Sequence, residues 1–189
     1  MLYNDDPTND VFLQNLLYLL GATLLGVKPA ELLNVEPYGK AGLRGWQECK
    51  HYFADLKDVS FLEVRNLGRM QQVFFYHGKA LAEVLKQKAT LNFLQSLGYP
   101  QEFELDRYVQ HLIKKIRLET EFPHEVGIFL GYPLKDVMGF MGYARLPLAG
   151  KKGWRYYGNP LYSQRVYAAY EEARERFREV LHSYCSGNL

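Results

Sequence analysis

Between Glu121 and Phe140 the chain reads Glu-Phe-Pro-His-Glu-Val-Gly-Ile-Phe-Leu-Gly-Tyr-Pro-Leu-Lys-Asp-Val-Met-Gly-Phe. Its two prolines and three glycines rule out one continuous helix there. The same segment holds one histidine and three acidic residues among large apolar side chains. A glycine inside a helix costs roughly 1 kcal/mol relative to alanine, so Gly127 in an apolar helical run asks for a reason beyond folding. A site is expected here, although no motif in the chain names a reaction.

With Pro123 opening a helix, His124 falls in its first turn and Gly131 just past its end. His124, Gly127 and Gly131 then lie on one stripe, at steps of three and four. Val126, Phe129 and Leu130 take another side and face the core. The stripe leaves space beside the imidazole, to be filled by a neighbouring backbone or by a ligand. Glu121 and Glu125 flank the histidine. A carboxylate in a first turn gains a few tenths of a kcal/mol from the helix dipole, which accounts for either without general-base work. His124 and Glu125 are adjacent and point about 100° apart on a helix, so spacing does not pair them. Tyr132 follows Gly131 in a Gly-Tyr-Pro helix stop, which recurs at Gly98 to Pro100, and can place its hydroxyl at the mouth of the same space.

The rest of the chain alternates helical and extended patterns. Thr8 to Leu20 has an apolar helical face, with Thr8 or Asn9 as cap, and Gly21 to Gly26 interrupts it. Val27 to Leu33 predicts a short helix with Pro29 in its first turn. A helix over Trp46 to Leu56 follows, with Trp46, Cys49, Phe53 and Leu56 on one side. Val59 to Arg65 and Met70 to Tyr76 read as a β-hairpin. Helices are predicted over Lys79 to Gln87, Ala89 to Leu97 and Glu104 to Leu118, the last with Lys114, Lys115 and Arg117 on its wet side. Leu146 to Gly153 reads as a loop and Trp154 to Tyr157 as a third strand. The final helix runs from Leu161 to Tyr184, with a seam of Val166, Tyr170, Ala173, Phe177, Val180 and Tyr184. The expectation is one α+β domain over 1–189, mostly helical. It has a small antiparallel sheet (a hairpin about 59–76 plus a strand about 153–158) and a long C-terminal helix.

Several function classes are disfavoured. A net charge of +2 is too small to imply a polyanionic partner. Arg145, Lys151, Lys152 and Arg155 interleave with Trp154, Tyr156 and Tyr157, yet four charges are a small footprint for nucleic acid, and an exposed loop backed by a strand is the plainer reading. Cys49 and Cys185 are too far apart in sequence for a metal knuckle, and His51, His77, His111 and His182 lie in separate elements, so no metal is assigned. Asp5, Asp6 and Asp10 stand where a leader's positive region would be, and Leu16 to Val27 is too short to span a bilayer, so a cytoplasmic protein is expected. Lys28, held extended before Pro29, reads first as a solvated lysine and second as an anion-binding group at a helix entrance.

The segments Leu25 to Leu32, Phe93 to Pro100, Phe122 to Phe140 and Tyr157-Gly158 resemble, in this order, a domain-of-unknown-function family of small proteins, mostly from anaerobic Gram-positive bacteria. Its central motif here is Phe-Pro-His-Glu-x-Gly-x-Phe-Leu-Gly-Tyr-Pro-x-x-Asp-Val-x-Gly-Phe. Where members of that family often carry a His-Cys pair before the Lys-Pro segment, this chain has Leu19 and Leu20. The resemblance implies a fold and a hot segment, and no reaction.

The leading expectation is a small-molecule or cofactor-binding protein, the cofactor unspecified. Its pocket is bounded by the His124–Asp136 segment, with His124, Gly127, Gly131 and Tyr132 as ligand-binding residues and Lys28 and Tyr157 as walls. The alternatives are an enzyme with His124 or Glu125 as general acid or base, and an interaction module that forms a homodimer through the last helix.

Overall fold

The computed structural model describes residues 10–39 and 44–185. Its centre is the predicted hairpin of β2 (Val59–Leu67) and β3 (Met70–His77). β3 is covered on both faces: Phe74 and Tyr76 enter one apolar cluster, Val73 and Phe75 the other. A strand with near-continuous apolar sequence is buried on both sides, and this makes β3 the middle strand. On one side Trp46 sets its ring edge-on to Phe61 and Phe75, with centroids 4.9 and 5.3 Å away.

The third strand of this sheet is β1 (Ala30–Val35), in the order β1-β3-β2. The sequence predicts a helix over Val27 to Leu33, whereas Ala30–Val35 is a strand. Ala30 to Val35 pair one-to-one with Tyr76 to Gln71, and the His77 N–H donates to the Pro29 carbonyl at 2.9 Å. Glu31, Leu32 and Leu33 are good helix formers, but a free ladder on β3 outweighs a propensity of tenths of a kcal/mol per residue.

Helix α1 (Val11–Leu24) is capped by Asp10, whose Oδ1 accepts the Leu13 N–H at 3.0 Å; the expected caps Thr8 and Asn9 lie outside the described residues. It does not stop at Gly21. A Cβ there would sit 2.8 Å from Phe177 Cβ, so the glycine admits the last helix instead of ending the first. The predicted Trp46 to Leu56 helix is split into α2 (Trp46–Cys49) and α3 (His51–Ala54), with Leu56 exposed.

The other face of the sheet is covered by α4 (Gly78–Leu85), α5 (Lys88–Ser96) and α6 (Leu105–Leu118). They pack with α7 (Val126–Phe129) and α8 (Leu134–Phe140). Lys115 of α6 is corrected from the wet side: its ammonium turns inward to Glu125. Leu148–Lys152 is a strand, β4, and not the expected loop. β5 (Trp154–Tyr157) pairs with β4 in a separate two-stranded sheet. The reversal between them is a single residue, Gly153, at φ +72°, a conformation that costs an L side chain about 1–2 kcal/mol.

The long helix α9 (Leu161–Cys185) packs along α1. Tyr170 and Ala173 of its seam are buried, Val166 and Phe177 half-buried and Val180 exposed; the Tyr184 side chain lies outside the described residues. No helix among the described residues is long and apolar enough to cross a membrane.

Candidate functional site

The central segment folds as two short helices around a sharp bend. The Gly127 N–H donates to the His124 carbonyl at 3.1 Å and the Tyr132 N–H to the Gly127 carbonyl at 2.8 Å. His124 therefore sits in an exposed turn ahead of α7, while Ile128 and Phe129 are sunk in the core. Pro133 starts α8, and the bend throws the Tyr132 ring back beside Gly127. A Cβ at Gly127 would lie 3.1 Å from that ring and 3.0 Å from Val137 Cγ2, so the missing side chain lets Tyr132 and Val137 close onto α7.

The β4–β5 hairpin closes the other side. Trp154 stacks on Tyr132, with centroids 4.5 Å apart and planes within 15°. Asp136 of α8 fixes this arrangement. Its Oδ2 accepts the Trp154 indole N–H at 2.9 Å; its Oδ1 accepts the Tyr157 backbone N–H at 2.8 Å and the Lys135 ammonium at 2.6 Å. Burial pushes this carboxyl up, but hydrogen bonds from Lys135, Ser163, Tyr157 and Trp154 outweigh it and hold the group below the usual carboxylate range. Lys135 in turn donates to the Tyr157 carbonyl and to Ser163.

Between these elements lies a cavity of about 290 Å³. Gly127, Tyr132, Val137 and Trp154 form its inner wall, and His124, Phe140, Lys151 and Arg155 its outer parts. The His124 ring meets Phe140 edge-on at 4.9 Å. The Arg155 guanidinium lies 5.5 Å from the Phe140 ring centre, a cation–π contact. Burial, and then the charge of Glu31, pushes the Tyr132 hydroxyl up to about 12, so it stays neutral. Among the described residues no three His, Cys, Asp or Glu side chains gather closely enough to hold a metal ion.

Residues 16–188 match the family model described as "protein of unknown function (DUF3793)". The chain belongs to the DUF3793 family. No curated protein and no solved structure matches it. Membership of DUF3793 carries no activity with it, and the geometry alone says what this site can do.

In this DUF3793 protein, His124, Gly127 and Tyr132 share the cavity. The other candidates lie elsewhere. Gly131, at φ +81°, is packed against Pro29 and the Tyr170 hydroxyl, which donates to the Gly131 carbonyl at 2.8 Å. Lys28 is buried beside it and is corrected from a solvated lysine: its ammonium donates to Glu31 Oε1 at 2.6 Å. Burial lowers the Lys28 pKa even though Glu31 works the other way. The Tyr157 ring packs on Gly139, where a Cβ would be 2.5 Å away, and so buttresses α8 from behind. Glu125 is buried with Lys115 Nζ at 2.5 Å and the Tyr99 hydroxyl at 3.4 Å. Burial, and then that carboxylate, pushes the Tyr99 hydroxyl well above its ordinary value.

Sequence reasoning placed Asp136 only at the end of the pocket segment, gave Phe140 no role of its own, and read Lys151 and Arg155 as part of an exposed loop backed by a strand. The missed signal was the run Lys-Lys-Gly-Trp-Arg, in which one glycine between two short extended stretches marks a reversal. That reversal carries both cations to the cavity.

Proposed function

We propose that this protein is a cytoplasmic small-molecule-binding protein whose ligand sits between α7, α8 and the β4–β5 hairpin. One observation carries the reading: a 290 Å³ space, near the small end of ligand pockets, is lined by Gly127 and walled by the stacked Tyr132–Trp154 pair. Aromatic and aliphatic walls with a few convergent polar groups at the rim suit a small organic ligand. The geometry favours binding over acid–base catalysis. Among the described residues the nearest ring partners of His124 are Phe122 and Phe140, and the adjacent carboxylate, Glu125, is engaged with Lys115.

Thermal-shift screening of a metabolite library tests the reading. Compounds that raise the melting temperature of the wild type should lose that effect in His124→Ala and Phe140→Ala proteins. A library in which every hit stabilises wild type and variants alike sinks it.

A further inference from the structure

Lys151 and Arg155 are direct partners across the β4–β5 ladder. Lys152 and Tyr156 take the opposite face of the pleat, towards Tyr167 and Tyr170 of α9; Trp154, next to the turn, touches those rings too, while its own ring stacks on Tyr132 and lines the cavity. Like charges set directly opposite each other in a ladder destabilise it. Among the described residues neither cation has a carboxylate within ion-pair distance. The one acid lining the cavity, Asp136, is already committed to Lys135, Trp154 and the Tyr157 N–H. The rim is thus cationic and uncompensated, and the wall behind it is aromatic.

We propose that the cavity takes an organic anion with a flat apolar body, its anionic group held between Lys151 and Arg155 and its ring against Tyr132, Trp154 and Phe140. This rests on the binding reading above and names the chemistry of its ligand. A carboxylate or phosphate bridging the two cations relieves the cross-strand repulsion, and the guanidinium offers it a two-pronged hydrogen bond. The flat body fits because the stacked Tyr132–Trp154 pair and the Phe140 ring are the large surfaces that the cavity presents.

A matched pair of probes tests it: 2-naphthoate and its neutral analogue 2-naphthamide, titrated into the full chain. The assigned indole N–H signals of Trp46 and Trp154 are followed by nitrogen–proton correlation spectra. Naphthoate is expected to move the Trp154 signal saturably and leave that of Trp46, which lies in the other core. The double substitution Lys151→Gln/Arg155→Gln should weaken naphthoate roughly tenfold and leave naphthamide unchanged, at the strength of exposed ion pairs. Lys151→Arg should retain binding. Both cations are exposed, so the double variant keeps the fold, and an unmoved Trp154 signal in the free protein verifies it. Equal binding of the two probes, undiminished by the double substitution, overturns the anion inference while the pocket stands. If neither probe moves Trp154, the flat-anion inference falls, and the binding reading is judged separately by the library screen.

Discussion

Asp136 accepts the Trp154 indole N–H at 2.9 Å across eighteen residues of sequence, and this bond joins the helix on one side of the cavity to the strand on the other. Asp136→Asn keeps the shape but sets an amide NH₂ against donors on every side. Leaving the Lys135 ammonium without its partner adds to the cost. A loss of about 3 kcal/mol in unfolding free energy is expected, in the range for a broken buried ion pair. Urea unfolding followed by near-ultraviolet circular dichroism checks it, and a loss under 1 kcal/mol would mean that the carboxylate anchors little.

The same residue sets a pH signature. Its folded carboxyl is held below the ordinary carboxylate value, so the folded state binds this proton less readily than the unfolded chain. The stabilisation is complete above the unfolded pKa of about 4 and fades as pH falls through the folded value. The stability gap between wild type and Asp136→Asn should therefore be constant near neutrality and narrow below about pH 4. A gap that widens on acidification contradicts the assignment.

Glu125 and Lys115 form a second buried pair, at 2.5 Å, outside the cavity. Glu125→Gln leaves the ammonium beside Tyr99 with only the more exposed Glu119 carboxylate, at 3.9 Å, and should cost up to about 3 kcal/mol. The double substitution Glu125→Leu/Lys115→Met removes both charges and should recover most of that loss. Probe binding to the cavity should be unaltered in the double variant, as expected of a structural pair and not of a group that touches ligand.

These residues show what was and was not legible in the sequence. The β2–β3 hairpin, α6 and α9 were readable because their periodicity is written in contiguous residues, which bury Tyr108, Val109, Leu112, Ile113 and Ile116 on one face of α6. Ala30–Val35 was not, because its state is decided by an unpaired edge of β3 some forty residues later. Lys28 and Lys115 look like surface lysines until Glu31 and Glu125 are placed beside them in space. His124, Gly127 and Tyr132 were found together because one bend collects them. Lys151 was missed because Leu-Ala-Gly-Lys-Lys has no β-branched residue to announce a strand, and Arg155, on the strand that was predicted, had no partner strand to set it opposite Lys151 until β5 made one of those residues.

Cys49 gives an independent check on the core beneath α2. It is buried and its Sγ donates to Asp10 Oδ2 at 3.5 Å; burial, and then that carboxylate, pushes the thiol up to about 12. In a Cys185→Ser background, which leaves one thiol, labelling with a disulfide reagent at pH 7.5 should run at least about a thousandfold slower than in denaturant. Rapid labelling of the folded protein would place Cys49 outside the core.

The two glycines of the central segment should part company on substitution. Gly131 combines a φ of +81° with Pro29 Cδ only 2.6 Å from where a Cβ would stand, and the Tyr170 hydroxyl is nearer still. The left-handed backbone alone costs an alanine about 1–2 kcal/mol, and neither Pro29 nor a hydroxyl bonded to the Gly131 carbonyl yields easily. Gly131→Ala is expected to lose at least about 2 kcal/mol of stability, with probe affinity unchanged in whatever fraction folds. Gly127 sits in α7, and its Cβ would press on a methyl and a ring edge at 3.0 and 3.1 Å. A shift of a few tenths of an ångström in Val137 or Tyr132 accommodates it, and the gain in helix propensity, up to about 1 kcal/mol, offsets the strain. Gly127→Ala should therefore stay within about 1 kcal/mol of wild type while the added methyl weakens naphthoate severalfold. If Gly127→Ala instead destabilises as much as Gly131→Ala and leaves probe binding intact, the glycine serves packing between α7 and α8, and the space beside His124 is not a pocket kept open for a ligand.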